Sequence, residues 1–160
     1  MKHRLALFAL LILSGYTLEA HPITGSWYDA RTLQKVQDSD DPSSKSHHGI
    51  MEGFRVWYDS DRRLCYEANL GMYGFMYAEN VYIVPLSGSI VEIRFKSRKR
   101  RKTITLLRFF LLSKDTGYIV SVGGPPLPEL RNWVFKKAAP DPFPYLWQSG
   151  GTGTGLPPLE

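Results

Sequence analysis

Residues 21–33 read HPITGSWYDARTL, and the Gly25-Ser26-Trp27 triplet inside them decides how the rest of the chain is read. Glycine lets a backbone approach its neighbour closely, and the residue two positions on shares its strand face. That pairing suits the place where a sheet curls into a barrel and a large ring must stopper one end. Working outward, aromatic and β-branched residues fall into short runs separated by turn chemistry. Strands are predicted at 26–33, 51–58, 64–70, 75–84, 90–96, 103–112, 118–122 and 131–136. The breaks include DSDR, GMYG, PLSG, the basic run KSRKRRK, SKDTG and GGPPLPE, several short enough to join antiparallel neighbours. No convincing amphipathic helix stands out. The expected fold is therefore all-β, an eight-stranded antiparallel up-and-down β-barrel, because closure removes edges that would otherwise aggregate.

The ends of the chain read differently. Residues 1–20 have the pattern of an export signal: Lys2 and Arg4, an apolar run from Leu5 to Leu13, then Leu18-Glu19-Ala20. The run is too short to span a bilayer, so a secreted chain without a transmembrane segment is expected. One β-barrel domain is assigned to residues 21–142, interrupted by the polar loop QDSDDPSSKSHHG at 37–49. The Gly/Pro-rich segment 143–160 is expected to be a flexible tail. The single cysteine, Cys65, excludes an internal disulfide framework. It reads as a small buried hydrophobe, with a reactive or intermolecular thiol as the alternative. No Asn-x-Ser/Thr sequon is present. Removing the signal takes away Lys2, Arg4 and Glu19, leaving 18 basic against 14 acidic residues, a net of +4. Six of those cations are Lys96, Arg98, Lys99, Arg100, Arg101 and Lys102, without which the balance is −2. The basic character thus belongs to one hairpin.

Two later stretches give the triplet weight. RFFLLSKDTGYIVSVGG at 108–124 resembles the strand pair joined by the Thr-Asp-Tyr turn of lipocalins, with Asp115 at the turn aspartate and Tyr118-Ile119-Val120 leaving it. RNWVFKKAAPDP at 131–142 is similar to the last lipocalin strand, with Lys137 where that family has arginine. CYEANL at 65–70 and IVEIRFK at 90–96 are similar to the apolipoprotein D and bacterial lipocalin branch of this calycin family. The likeness covers about residues 22–142, and the family's helix after the barrel and its disulfides have no counterpart. It implies that Gly25, Trp27, Asp115 and Lys137 are structural, with Lys137 or Lys136 over the Trp27 ring. It also implies that Tyr66, Ala68 and Leu70 face inward, with Trp133, Phe135 and one of Phe109 or Phe110, taken as Phe109. Such a wall suits a small hydrophobic ligand, or its side chains simply fill the interior.

A rival resemblance lies in the same region. ITGSWYD at 23–29 is similar to the opening strand of avidins and VWYDS at 56–60 to a later one, which implies Asp29, Tyr58 and Ser60 around a biotin ureido group. The basic hairpin reads as a solvated tip, as a patch for acidic polysaccharide or anionic lipid, or as a furin-type cleavage site. Asp38, Asp40, Asp41, His47 and His48 share one loop, but their spacing matches no calcium or zinc pattern, so no metal and no cofactor is expected. No Ser/His/Asp elbow and no paired carboxylates are found, and Cys65 has no evident base. The expected protein is a non-enzymatic secreted carrier of a small hydrophobic molecule, with no nucleic-acid partner. The alternatives are a matrix or interaction protein displaying hairpin 96–102, or an avidin-like binder.

Overall fold

A computed structural model describes residues 20–37, 52–71, 75–124, 132–142 and 147. The signal segment, the polar loop with its aspartates and histidines, and all of the tail except Trp147 lie outside the described residues. Among these residues the fold is all-β, a single antiparallel sheet with one short helix. Its strands are β1 (Gly25–Asp29), β2 (Gly53–Tyr58), β3 (Leu64–Asn69), β4 (Phe75–Ala78), β5 (Tyr82–Pro85), β6 (Ile90–Ser97), β7 (Lys102–Leu111), β8 (Thr116–Val122) and β9 (Val134–Ala138). Helix α1 spans Ala30–Gln37 directly after β1, which therefore ends four residues short of the predicted Leu33. Asp29 caps it, accepting a hydrogen bond from the Arg31 amide at 3.0 Å.

The strand order is β4-β3-β2-β1-β9-β8-β7-β6-β5. Every neighbour is sequential except β1 and β9, the first and last strands, which pair from Ser26↔Ala138 to Asp29↔Phe135. The sheet has nine strands rather than the eight expected, and it is not closed. Its two edges, β4 and β5, are the halves of the single run predicted at 75–84. Asn80 divides them, taking a left-handed φ of 54°, a region that asparagine enters more easily than most residues. β4 pairs with β3 and β5 pairs with β6, leaving a seam between the two edges. Pro85, which lacks an N–H, sits on one of these edges, where it removes no central ladder bond.

The sheet is nonetheless rolled. In a flat sheet β2 and β7, four strand spacings apart, would be separated by roughly 19 Å. Yet the rings of Phe54 on β2 and Phe109 on β7 lie 5.1 Å apart, edge to face. The rolled interior is filled by Trp27, Phe54, Val56, Tyr66, Ile93, Leu107, Phe109, Ile119 and Phe135, all fully buried.

The outer face uses ion pairs to hold register. Arg55 stands opposite Glu67 across β2 and β3, and Glu92 opposite Arg108 across β6 and β7. Glu67 and Glu92 are each 1% exposed, so each needs its guanidinium partner to be tolerated there. Arg55 also lies 4.1 Å from the Trp57 ring centroid and 5.1 Å from that of Trp147. Trp147, assigned by sequence to the tail, is buried against Tyr28 on this outer face. Asp141 ties the region together, accepting from Ser26 Oγ (2.6 Å), Trp147 Nε1 (2.8 Å) and Tyr28 Oη. β1 is thereby covered on both faces.

The β2–β3 turn carries an avoidable cost. Asp59 Oδ1 accepts from the amides of Asp61 and Arg63, and Arg62 is forced to a φ of 60°. A left-handed conformation costs a non-glycine residue about 1 kcal/mol. Arg62→Gly relieves that cost but adds unfolded-chain entropy worth about 0.4–1 kcal/mol, so a net rise in unfolding free energy of no more than about 0.5 kcal/mol is expected, measured by urea denaturation.

Candidate ligand-binding site

One end of the rolled sheet is sealed, and the opening triplet explains how. Gly25 has a φ of 120°, and a Cβ there would meet the Lys137 side chain at 2.7 Å. The absence of a side chain lets Lys137 cross β1 to Trp27, its partner in register. Its ammonium lies 5.7 Å from the Trp27 ring centroid and donates to the Pro22 carbonyl at 2.9 Å. The indole itself donates to the Ile23 carbonyl at 2.8 Å, stacks on Phe54 and meets Phe109 edge-on at 5.0 Å. Ile23 is fully buried. Asp115 lies at the same end, where its carbonyl accepts from the Lys137 amide at 2.9 Å and its own side chain stays exposed.

The residues named from strand parity as ligand contacts share this interior. Tyr66, Ala68, Leu70, Phe109 and Phe135 are fully buried in one cluster, and Trp133 packs against its edge, 5.5 Å from the Phe135 ring. The Tyr66 hydroxyl and the Trp133 indole N–H are buried without a hydrogen-bond partner. Burial alone pushes the Tyr66 hydroxyl pKa far above its ordinary value, so it stays protonated.

Among the described residues, open space lies at the opposite end. A cavity of about 470 Å³ is lined by Met76, Phe95, Lys99, Arg100, Ile104, Thr105, Leu106 and Gly123. None of the six parity-derived contacts lines it. Its walls come from both sides of the seam: Met76 from β4, and Phe95 from β6 beyond the last residue that β5 pairs. Ile104, Thr105 and Leu106 are consecutive, and successive side chains of a regular strand point to opposite faces. A bulge resolves this. The β6–β7 register shifts between Ile93 and Arg94, whose partners are Leu107 and Thr105, and leaves Leu106 unpaired between them.

The basic hairpin forms the mouth. Lys96, Arg98, Lys99, Arg100, Arg101 and Lys102 are all exposed, Lys96 near the end of β6, Lys102 at the start of β7 and the other four on the turn between them. Only Lys99 and Arg100 of the six line the apolar cavity. Ser97 is fully buried, and its hydroxyl accepts from the Arg100 amide at 3.0 Å, while Arg101 closes the turn at a φ of 49°. A second, more polar hollow of about 310 Å³ adjoins it, lined by Lys102, Thr103, Ile104, Thr105, Arg108, Gly123 and Gly124.

The avidin-like set does not converge. Asp29 stands at one end of β1 beside Glu52, whereas Tyr58 ends β2 two residues beyond the partner of Gly25. Six strand residues separate those levels, roughly 20 Å, and Asp29 is engaged at α1. Ser60 lies in the turn after Tyr58, at that same far end. Cys65 is buried, and desolvation together with the carboxylates of Asp59 and Glu79 pushes its thiol up to about 11. It is thus a protonated, poorly nucleophilic side chain at neutral pH. Among the described residues no three His, Cys, Asp or Glu side chains come together to hold a metal, and no helix is long and apolar enough to cross a membrane.

No family model matches the chain, and neither the curated proteins nor the solved structures yield a significant match.

Proposed function

We propose that this protein is an exported carrier holding one small hydrophobic molecule in the cavity at the seam, on a rolled, lipocalin-like sheet of nine strands. The observation that carries the reading is the cavity, about 470 Å³ and walled by Met76, Phe95, Ile104 and Leu106. Small-molecule sites occupy roughly 300–1,000 Å³ and are lined mainly by apolar side chains. Burial contributes ~25 cal/mol per Å² of apolar surface before ordering costs, enough for micromolar affinity from a modest lipid or pigment. The sequential strand order, the β1–β9 pairing and the lysine over the indole support the lipocalin-like layout. The aromatic interior makes the parity-derived residues a scaffold for this site, in place of its lining.

Native mass spectrometry of the protein purified from a secretory source tests the proposal. The expected result is a co-purifying lipophile that is lost or weakened in Met76→Trp, which puts an indole into the cavity, with the melting temperature retained. The exposure of the six hairpin cations favours a second reading, an interaction protein for acidic polysaccharide or anionic surfaces. A ligand-free mass, together with heparin retention abolished by neutralising residues 96–102, would replace the carrier with that reading.

A further inference from the structure

The cavity has an apolar floor and a basic mouth, and one short turn joins them. Phe95 and Ile104 face each other in register across β6 and β7, and both line the cavity. The turn that follows brings back two side chains of its four residues, Lys99 and Arg100, to the same space. Its shape is fixed from below, because the buried Ser97 hydroxyl holds the Arg100 amide at 3.0 Å. Arg98 and Arg101 belong to the same turn but do not line the cavity. Cationic groups placed at the rim of a low-dielectric pocket focus positive potential into it and raise the local concentration of anions.

We infer that the ligand is an anionic amphiphile, its apolar body against Met76, Phe95, Ile104 and Leu106 and its carboxylate, sulfate or phosphate head at Lys99 and Arg100. This rests on the carrier reading and adds the charge class of the cargo. An acidic head gains charge-assisted hydrogen bonds at the rim, whereas a neutral lipophile of the same length gains only burial. A cationic head at that position is repelled.

Calorimetric titration with decanoate, decanol and decyltrimethylammonium separates these contributions, since the three share one alkyl chain. Decanoate is expected to bind on the order of tenfold more tightly than decanol, with the ammonium compound weakest. In Lys99→Gln/Arg100→Gln the carboxylate preference should vanish while decanol affinity holds. In Lys96→Gln/Arg98→Gln, which removes equal charge outside the cavity, the preference should persist. Equal binding of decanoate and decanol overturns the head-group assignment and leaves the carrier intact. No binding of any of the three overturns both. Equal loss in the two double variants, or displacement of decanoate by equimolar acetate, overturns the assignment in favour of a diffuse field or a simple anion site.

Discussion

Trp27→Ala is expected to lower the unfolding free energy by about 3–5 kcal/mol, the usual cost of emptying a buried tryptophan position. Domains of this kind hold only about 5–15 kcal/mol in total, so the variant should be largely unfolded at modest urea concentration. The loss exceeds simple apolar transfer because the indole makes contacts of several kinds at once. It stacks on Phe54, supports the Phe109 edge, donates to the buried Ile23 carbonyl and presents its face to Lys137. Truncation would leave the carbonyl unpaired and the ammonium without its π face. Trp27→Phe should recover part of the loss, since it restores ring area without the donor. Urea denaturation followed by far-ultraviolet circular dichroism reads both values. A cost below about 1 kcal/mol for the alanine variant would mean that the indole does not bridge β1 to the interior.

Glu92→Gln is expected to destabilise by about 2 kcal/mol, short of the 3–5 kcal/mol typical when a fully buried pair loses one partner. The discount follows from the partners, because the side chains of Arg94 and Arg108 are 31% and 29% exposed and regain water when released. Burial works to raise the Glu92 pKa, but hydrogen bonds from Arg108 and Arg94 outweigh it and hold the carboxyl below its ordinary 4.5. A depressed folded-state pKa means stability that is complete above the unfolded value and is lost as the pH falls through the folded one. The native protein should therefore lose this stabilisation only as the solution is acidified below about pH 4.5. The glutamine variant should show a shallower acid limb in melting temperature against pH. Parallel limbs for the two proteins would show that the ion cluster on β6 and β7 does not set acid stability.

What could be read from sequence was whatever depends on near neighbours along a strand. The likeness to lipocalins implied that Tyr66, Ala68, Leu70, Phe109 and Phe135 face inward, and they are buried in one cluster, because alternation carries the inward face from one residue to the next but one along each strand. The same likeness implied Lys137 or Lys136 over the Trp27 ring, and Lys137 is the one that lies there. The strand count missed by one because a single left-handed residue, Asn80, divides an otherwise continuous run. Helix α1 escaped notice because it is only eight residues long, although Asp29 followed by Ala30, Leu33 and Val36 at three-residue spacing was a usable signal. Trp147 was hidden by its Gly/Pro-rich surroundings, since its burial depends on the distant Tyr28 and Arg55 as well as on Asp141 six residues before it. The cavity lining was illegible for a stronger reason. It requires a bulge at Leu106 and an unpaired edge at β4, and both are properties of strand register that no local pattern encodes.

That unpaired edge bears on how many shapes of guest the proposed carrier would hold. Elsewhere in the sheet, widening the interior means breaking rows of cooperative backbone hydrogen bonds. Among the described residues no such row joins β4 to β5, so separating these two edges breaks no ladder. For the proposed carrier, tolerance of chain length rather than a fixed fit to one molecule is the expected behaviour, since its wall parts there at the lowest cost in backbone hydrogen bonds.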